Sequence, residues 1–247
     1  MQEKLNKHSM FLYGKNSVLE RVKNNPKSIG RIFLQDNFDD AEIISAINSK
    51  KIEIVRLPEA KFLKIKRADR LQGIVAEVEE FQYLDFKALL EKAKAEKLNL
   101  IFLDSLNDPH NLGSIMRTLA CFGGFAVVIP KHSSCEVNET VLHVASGGEN
   151  FVPVSLVTNL SQALIAAKKQ GFWAVGAVVE GGQDIHKTEL PFPLCLVLGS
   201  EGKGIRPGLE NQIELKVKIP MAGASLSFNV AMACAIFAYE INKQKTK

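Results

Sequence analysis

Three polar stretches follow directly on apolar runs, and each carries residue types that can do chemistry. In "NDPHNLGSIMRT", residues 107 to 118, Asn111, Ser114 and Arg117 stand just beyond the apolar run Leu98 to Leu103. Leu112, Ile115, Met116 and Leu119 recur at helical spacing and predict a buried stripe, which leaves Ser114, Arg117 and Thr118 on the opposite face. Asn111 occupies the expected N-cap position. An Arg one turn into a helix opposes the macrodipole, yet it suits a bound phosphate. A plainer reading makes Asn111 a cap and Arg117 a solvated cation. A guanidinium stays protonated in proteins, so Arg117 is fit to hold an anion or a developing alkoxide and unfit to act as a base.

The second stretch, "LGSEGKG" from Leu198 to Gly204, packs Gly199, Gly202 and Gly204 around the carboxylate of Glu201. Glycines at this density permit positive φ angles and a close approach of backbone to ligand. The order of residues matches neither a Walker A loop nor the Rossmann fingerprint. In the third, "IPMAGASLSFNVAMA" from Ile219, Ser225 or Ser227 is expected to cap a last helix that is apolar almost all round. Such a helix must be buried, in its own core or against another subunit. Asn229, a polar amide in its first turn, is harder to explain by packing.

These stretches need a scaffold, and the pattern predicts an α/β one. From Leu98 the runs "LNLIFL", "FAVVIP", "FVPVSLV", "FWAVGAVV" and "LCLVLG" alternate with helical stretches ending near Gly123, Gly147 and Gly171. Continuous apolar strands imply a parallel sheet covered by helices on both faces. Ligands in such a sheet gather at the carboxyl ends of the strands, where the polar stretches fall. The last strand, "IELKVKIP", alternates strictly and is expected to show one face to water. Before Leu98, the first 80 residues read as a smaller α/β unit with strands at "RIFLQ", "IEIVRL" and "QGIVAEVEEF". "YLDFKALLEKAKAEK" (83 to 97) reads as a helical connector. The expected division is 1–80, a linker over 81–97, and 98–247.

The chain has 247 residues, 46% of them hydrophobic and 23% charged, an ordinary globular composition. No apolar run reaches the roughly 18 residues that span a bilayer, and "MQEKLNKHSM" has no secretory apolar stretch, so a cytoplasmic location is expected. Its four cysteines are far apart with no metal-ligand spacing, so each is expected to be a small buried hydrophobe and no metal site is predicted. Net charge is +4, unevenly spread: up to Arg70 there are fifteen Lys and Arg against nine Asp and Glu. A positive first third suits a phosphate-binding module, and Lys15, Lys64, Lys66 and Arg67 are its candidate phosphate contacts. A solvated basic surface would look the same.

Taken together, "DPHNLGSIMRT", "GSEGKG" and "IPMAGASLSFNVAMA" resemble, in order, the three signature motifs of the SpoU (TrmH-like) RNA ribose 2'-O-methyltransferases of the SPOUT superfamily. The first 80 residues, with "LYGKNSVLE" and "LQGIVAEV", are similar to that family's L30e-like RNA-binding extension, a pairing typical of enzymes that methylate a guanosine of 23S ribosomal RNA. The resemblance implies a SPOUT domain with a deep trefoil knot, S-adenosylmethionine as donor, RNA as substrate and a homodimer built partly from the last helix. It places Leu198, Gly199, Gly202, Ile219, Met221 and Phe228 at the donor, and makes Asn111, Arg117, Glu201, Ser227 and Asn229 the polar active-site set. Glu201 is then the candidate proton acceptor, unless backbone hydrogen bonds keep it structural. Two residues depart from the family: Phe228 stands where Leu is usual, and Ala231 replaces a common Ser. Rival readings are a tRNA 2'-O-methyltransferase and a noncatalytic RNA-binding ribosome-assembly protein. A nucleotide-dependent hydrolase or oxidoreductase lacks its signatures.

Overall fold

The computed structural model describes residues 9–200, 202–224 and 226–245, and the chain builds two sheets. The first takes β1 (Ser9–Tyr13), α1 (Lys15–Asn24), β2 (Ile29–Gln35), α2 (Ala41–Ser49), β3 (Glu53–Leu57), α3 (Glu59–Ile65) and β4 (Ile74–Glu79). Its strands lie in the order β1-β4-β2-β3, with β4 antiparallel to both neighbours and β2 parallel to β3.

α4 (Phe86–Ala95) leads to the second sheet: β5 (Asn99–Leu103), α5 (Pro109–Phe122), β6 (Phe125–Pro130), α6 (Glu139–Ala145), β7 (Val154–Val157), α7 (Leu160–Lys169), β8 (Trp173–Ala177), β9 (Gln183–Asp184), β10 (Leu194–Leu198), α8 (Pro207–Glu210), β11 (Leu215–Lys218) and α9 (Val230–Lys245). The order is β7-β6-β5-β10-β8-β11-β9, and every pairing is parallel. Asx side chains start helix after helix by accepting first-turn N–H groups: Asp85 for α4, Asp108 for α5, Asn138 for α6 and Asn159 for α7.

Successive residues of the buried strands face opposite ways, so each strand feeds two cores. Ile101, Leu103, Val127, Ile129, Leu196 and Leu198 meet α5, α6 and α9 through Leu112, Ile115, Val141, Cys234 and Phe237. Leu100, Phe102, Ala126, Val128, Cys195 and Val197 meet α4 and α7 on the other side, through Leu89, Ala93, Leu160 and Leu164. The stretch expected as a connector is therefore part of this core: α4 buries Leu89, Leu90 and Ala93. The first apolar layer also runs on without a break into Leu12, Val18, Ile32 and Ile74 of the first sheet.

Polar contacts reinforce that junction. Glu139 on α6 accepts the Phe11 N–H at 2.7 Å and pairs with Lys66. Tyr13 stacks on His143 with ring centres 4.2 Å apart. Arg21 reaches Glu149 at 2.9 Å, with both side chains almost wholly buried. Gly147 lets α1 come close, since a Cβ there would lie 2.3 Å from the Glu20 Cβ.

One expectation about burial needs correction, and for the last helix the structure bears on one of its two alternatives, burial in its own core. Cys195 and Cys234 are buried hydrophobes, with the Cys234 thiol pushed up by burial to about 12, but Cys135 is only half-buried and Cys121 is exposed. The last helix is not enclosed on every side: Val230, Cys234, Phe237 and Ile241 are buried while Met232 and Tyr239 are more than half exposed. Among the described residues no helix is long and apolar enough to cross a membrane, and no group of His, Cys, Asp and Glu could hold a metal ion.

Candidate active site

Parallel pairing puts the turns after β5, β10 and β11 at the same edge of the sheet, close together because the strand order there is β5-β10-β8-β11. A cavity of about 470 Å³ opens at this edge. Its walls include Leu198, Gly199 and Gly202 from the turn after β10, and Ile219, Met221, Ser227 and Phe228 from the segment after β11. All six residues expected at the donor thus line one cavity, together with Ser227 of the polar set. Val178, Ile205, Ala233 and Phe237 complete the apolar wall, and sequence reasoning did not single them out. Their signal was weak, since each looks like an ordinary core residue.

The glycine loop folds back on itself. Ser200 and Gly204 exchange backbone hydrogen bonds of 3.0 Å each way. A Cβ on Gly199 would meet the Gly204 carbonyl carbon at 2.2 Å, so this position excludes every side chain. Glu201 lies outside the described residues, as does Ser225.

Asn111 and Asn229 come together although 118 residues separate them: the Asn229 amide nitrogen donates to Asn111 Oδ1 at 3.0 Å. Both differ from expectation in local role. Asp108, not Asn111, caps α5, its carboxylate accepting the His110 N–H at 2.8 Å, with Pro109 at the first helical position. Asn111 thus lies inside the first turn, nearly buried. Asn229, and not Ser227, caps α9, its Oδ1 accepting the Ala231 N–H at 2.9 Å. One amide side chain therefore starts the last helix and ties it to the start of α5.

The remaining expected residues divide. Arg117 is the ninth residue of α5, more than two turns in, so the macrodipole argument does not apply to it. It is exposed, does not line the cavity, and packs its backbone against Gly148, where a Cβ would come within 2.8 Å of the Arg117 Cα. Phe228 lines the cavity but its ring is 45% exposed, so the extra bulk at this position has room outward. Ala231 is buried away from the cavity lining. Lys15 pairs with Asp40 at 2.9 Å and lies over the Phe38 ring, while Lys66 pairs with Glu139 and lies over Tyr13. Lys64 and Arg67 are exposed and make no ion pair among the described residues.

One residue missed as functional is Asp104, which ends β5. Its side chain is fully buried and it receives Arg206, 102 residues away, through the backbone N–H at 2.9 Å and Nε at 2.6 Å. A charged residue directly after a fully apolar strand is the signal that could have found it.

An open parallel sheet with a glycine-pinched cavity over its carboxyl edge defines a class of α/β protein built to bind a small molecule there. Comparison with known proteins narrows that class. The SpoU rRNA methylase family matches residues 98–239, and the RNA 2'-O ribose methyltransferase substrate-binding family matches residues 11–84. The chain belongs to the SpoU rRNA methylase family. It is 34% identical over 239 residues to the 23S rRNA (guanosine-2'-O-)-methyltransferase RlmB of Coxiella burnetii, covering 95% of each chain. With the enzyme of the same description from Ralstonia nicotianae it shares 33% identity over 242 residues, covering 96% of this chain and 97% of the relative. The fold is that of the SpoU methyltransferase AviRb from Streptomyces viridochromogenes, solved in complex with AdoMet. The TM-score is 0.80 at 19% identity, covering 97% of this chain and 91% of that one.

Proposed function

We propose that this protein transfers a methyl group from S-adenosylmethionine to the 2'-hydroxyl of a guanosine in 23S ribosomal RNA, in the cytoplasm. The observation that carries the reading is that the glycine loop after β10 and the segment after β11 wall one cavity, while the Asn229 side chain ties the second of these to Asn111 at the start of α5. The cavity's size falls within the range of small-molecule sites, and its make-up fits this donor: apolar walls for a base and a methionine chain, and a glycine loop that brings backbone N–H groups close. Leu198, Gly199, Gly202, Ile219, Met221 and Phe228 would hold it. When bound, the donor supplies an electrophilic methyl and leaves as a neutral thioether.

The chain's own task is then to position a weakly acidic hydroxyl and remove its proton. Asn111, Asn229 and Ser227 are assigned to orienting the ribose beside the donor. Amides cannot take up the proton at neutral pH, and that role is assigned to the Glu201 carboxylate. Arg117, exposed along α5, is assigned to the RNA phosphate and to charge developing on the ribose oxygen. Residues 1–80 are assigned to RNA capture, with Lys64 and Arg67 as outer contacts and Lys15 and Lys66 nearer the junction, and residues 98–247 to methyl transfer. Met232 and Tyr239, exposed on α9, together with Leu226, suit a homodimer seam in which the last helix of one copy meets the other. The SPOUT trefoil knot belongs to the same reading.

Donor-dependent transfer of labelled methyl to 23S rRNA, followed by mapping of ribose methylation, tests the function. Arg117→Ala should abolish turnover while donor binding, measured by calorimetry, stays nearly intact. Label appearing on transfer RNA alone, or no donor uptake at all, would overturn the reading.

A further inference from the structure

We propose that Asp104 and Arg206 are positioning residues that set the donor-binding shape of the glycine loop, an inference that rests on the cavity being the donor site. The pair joins the turn after β5 to the glycine loop after β10, and the loop is what lines the cavity. Asp104 follows the last residue of β5, and its backbone N–H donates to the Leu198 carbonyl at 2.8 Å, so it is fixed to the end of β10 just before the loop begins. Arg206 stands immediately past the other end of the loop and opens α8. Both oxygens of the buried carboxylate are engaged by it: Oδ2 accepts the Arg206 backbone N–H at 2.9 Å, and Oδ1 accepts from Nε and Nη2, each at 2.6 Å. Ser105 Oγ donates to the same Oδ1 at 3.3 Å.

Among the described residues between these anchors, the loop's own hydrogen bonds are those between Ser200 and Gly204. Gly202 and Gly204 have positive φ and nothing near enough to confine them, and the Ser200–Gly204 pair closes the loop without fixing where it points. Three directed, charge-assisted bonds from one residue do fix it, because the guanidinium fork and the backbone N–H approach the carboxylate from set directions. Gly204 and Ile205, which lead into Arg206, line the cavity, so a shift of Arg206 is a shift of the cavity wall. Neither Asp104 nor the Arg206 side chain lines the cavity itself. Their action is therefore through the loop, on the donor and not on the RNA.

Arg206→Met tests this, because it removes the two side-chain contacts and keeps the backbone one. In the full-length protein, the affinity for S-adenosylmethionine measured by calorimetry should fall roughly 10- to 100-fold, the loss expected when hydrogen bonds to a charged group disappear. The KM for the donor should rise with it, while affinity for a 23S rRNA transcript at fixed salt stays unchanged. Arg206→Lys, which keeps the charge but not the fork, should recover part of the donor affinity. Asp104→Asn should lose donor affinity too, and the double variant should lose no more than the worse single one, since both break one clamp. Equal donor affinity in Arg206→Met and the unaltered protein overturns the proposal. So does a parallel loss of donor and RNA binding with a lower melting temperature, which would make the pair a general brace. If the unaltered protein fails to bind the donor, the reading of the cavity is what has failed.

Discussion

Gly199→Ala is a perturbation whose size can be worked out from the structure before any measurement. The added methyl would lie 2.2 Å from the Gly204 carbonyl carbon, 2.4 Å from the Ile205 nitrogen and 2.5 Å from the Gly204 oxygen. Ordinary van der Waals contact begins near 3.4 Å, so one wall of the loop must retreat by about 1.2 Å. All three obstructing atoms are backbone, so no side chain can swing aside. Retreat must break the reciprocal Ser200–Gly204 hydrogen bonds or displace Ile205 from the cavity wall. A misplacement of about 1 Å can cost on the order of 10²-fold at a reacting centre, and the donor affinity should fall by that order. Calorimetric titration with S-adenosylmethionine measures it, alongside Gly208→Ala as a control, where an added Cβ meets nothing within 4 Å. If Gly199→Ala bound the donor within about threefold of the unaltered protein, the loop would not be the cavity wall that this account of it requires.

Asn229 serves as both helix cap and partner of Asn111, and substitution separates the two. Asn229→Ala should lower stability by about 1 kcal/mol, or roughly 2–4 °C in melting temperature, and abolish turnover, whereas Asn229→Ser should keep the cap and still lose turnover. Reversing Lys64 and Arg67 together should weaken RNA binding and reduce the salt slope by about 2, as titrations at several salt concentrations would record; reversing Lys66 should in addition loosen its junction with Glu139. Arg21→Met should destabilise the fold by about 3–5 kcal/mol by leaving Glu149 buried alone, and Arg21→Met with Glu149→Met should restore most of it in urea unfolding. Burial raises the Glu149 carboxyl above its ordinary value and Arg21 offsets only part of that. Its contribution to stability is therefore fully present below the unfolded value of about 4.3 and is lost as pH rises through the native one. Glu149→Gln should remove that slope from unfolding midpoints compared at about pH 4 and about pH 7.

The second sheet was legible in the sequence because its strands are buried on both faces, so β5, β6 and β10 stand out as unbroken apolar runs. β1 did not stand out: it is five residues long and its partner β4 is far along the chain, with Ser9 facing Glu79. β9, only two residues, has no pattern to read. The starts of α5 and α9 were misplaced for a physical reason. Asp108 and Asn111 are both good caps, as are Ser227 and Asn229, and residue type alone does not choose between them. Pro109 was the discriminating sign for α5, since proline favours the first helical position. At the site, it was the resemblance to the family's motifs that pointed to residues sharing the cavity wall, whereas Arg117 was read as sitting with Asn111. Six residues further on at about 100° per residue, it faces another way. The Asp104–Arg206 contact could not be read at all, because it depends on β5 and β10 being neighbours, and strand order leaves no local trace in a sequence.

The junction around α6 limits how this protein can be recombined. A chimera cut at residue 97, with the first unit taken from another protein, would leave Glu149 without its cation, Glu139 without the Phe11 amide and Lys66, and His143 without the Tyr13 ring. Any residue larger than glycine at position 147 would wedge against α1 of the graft. Exchange of the two halves therefore requires that the contacts of α6 and Gly147–Glu149 with the first sheet be rebuilt in the graft.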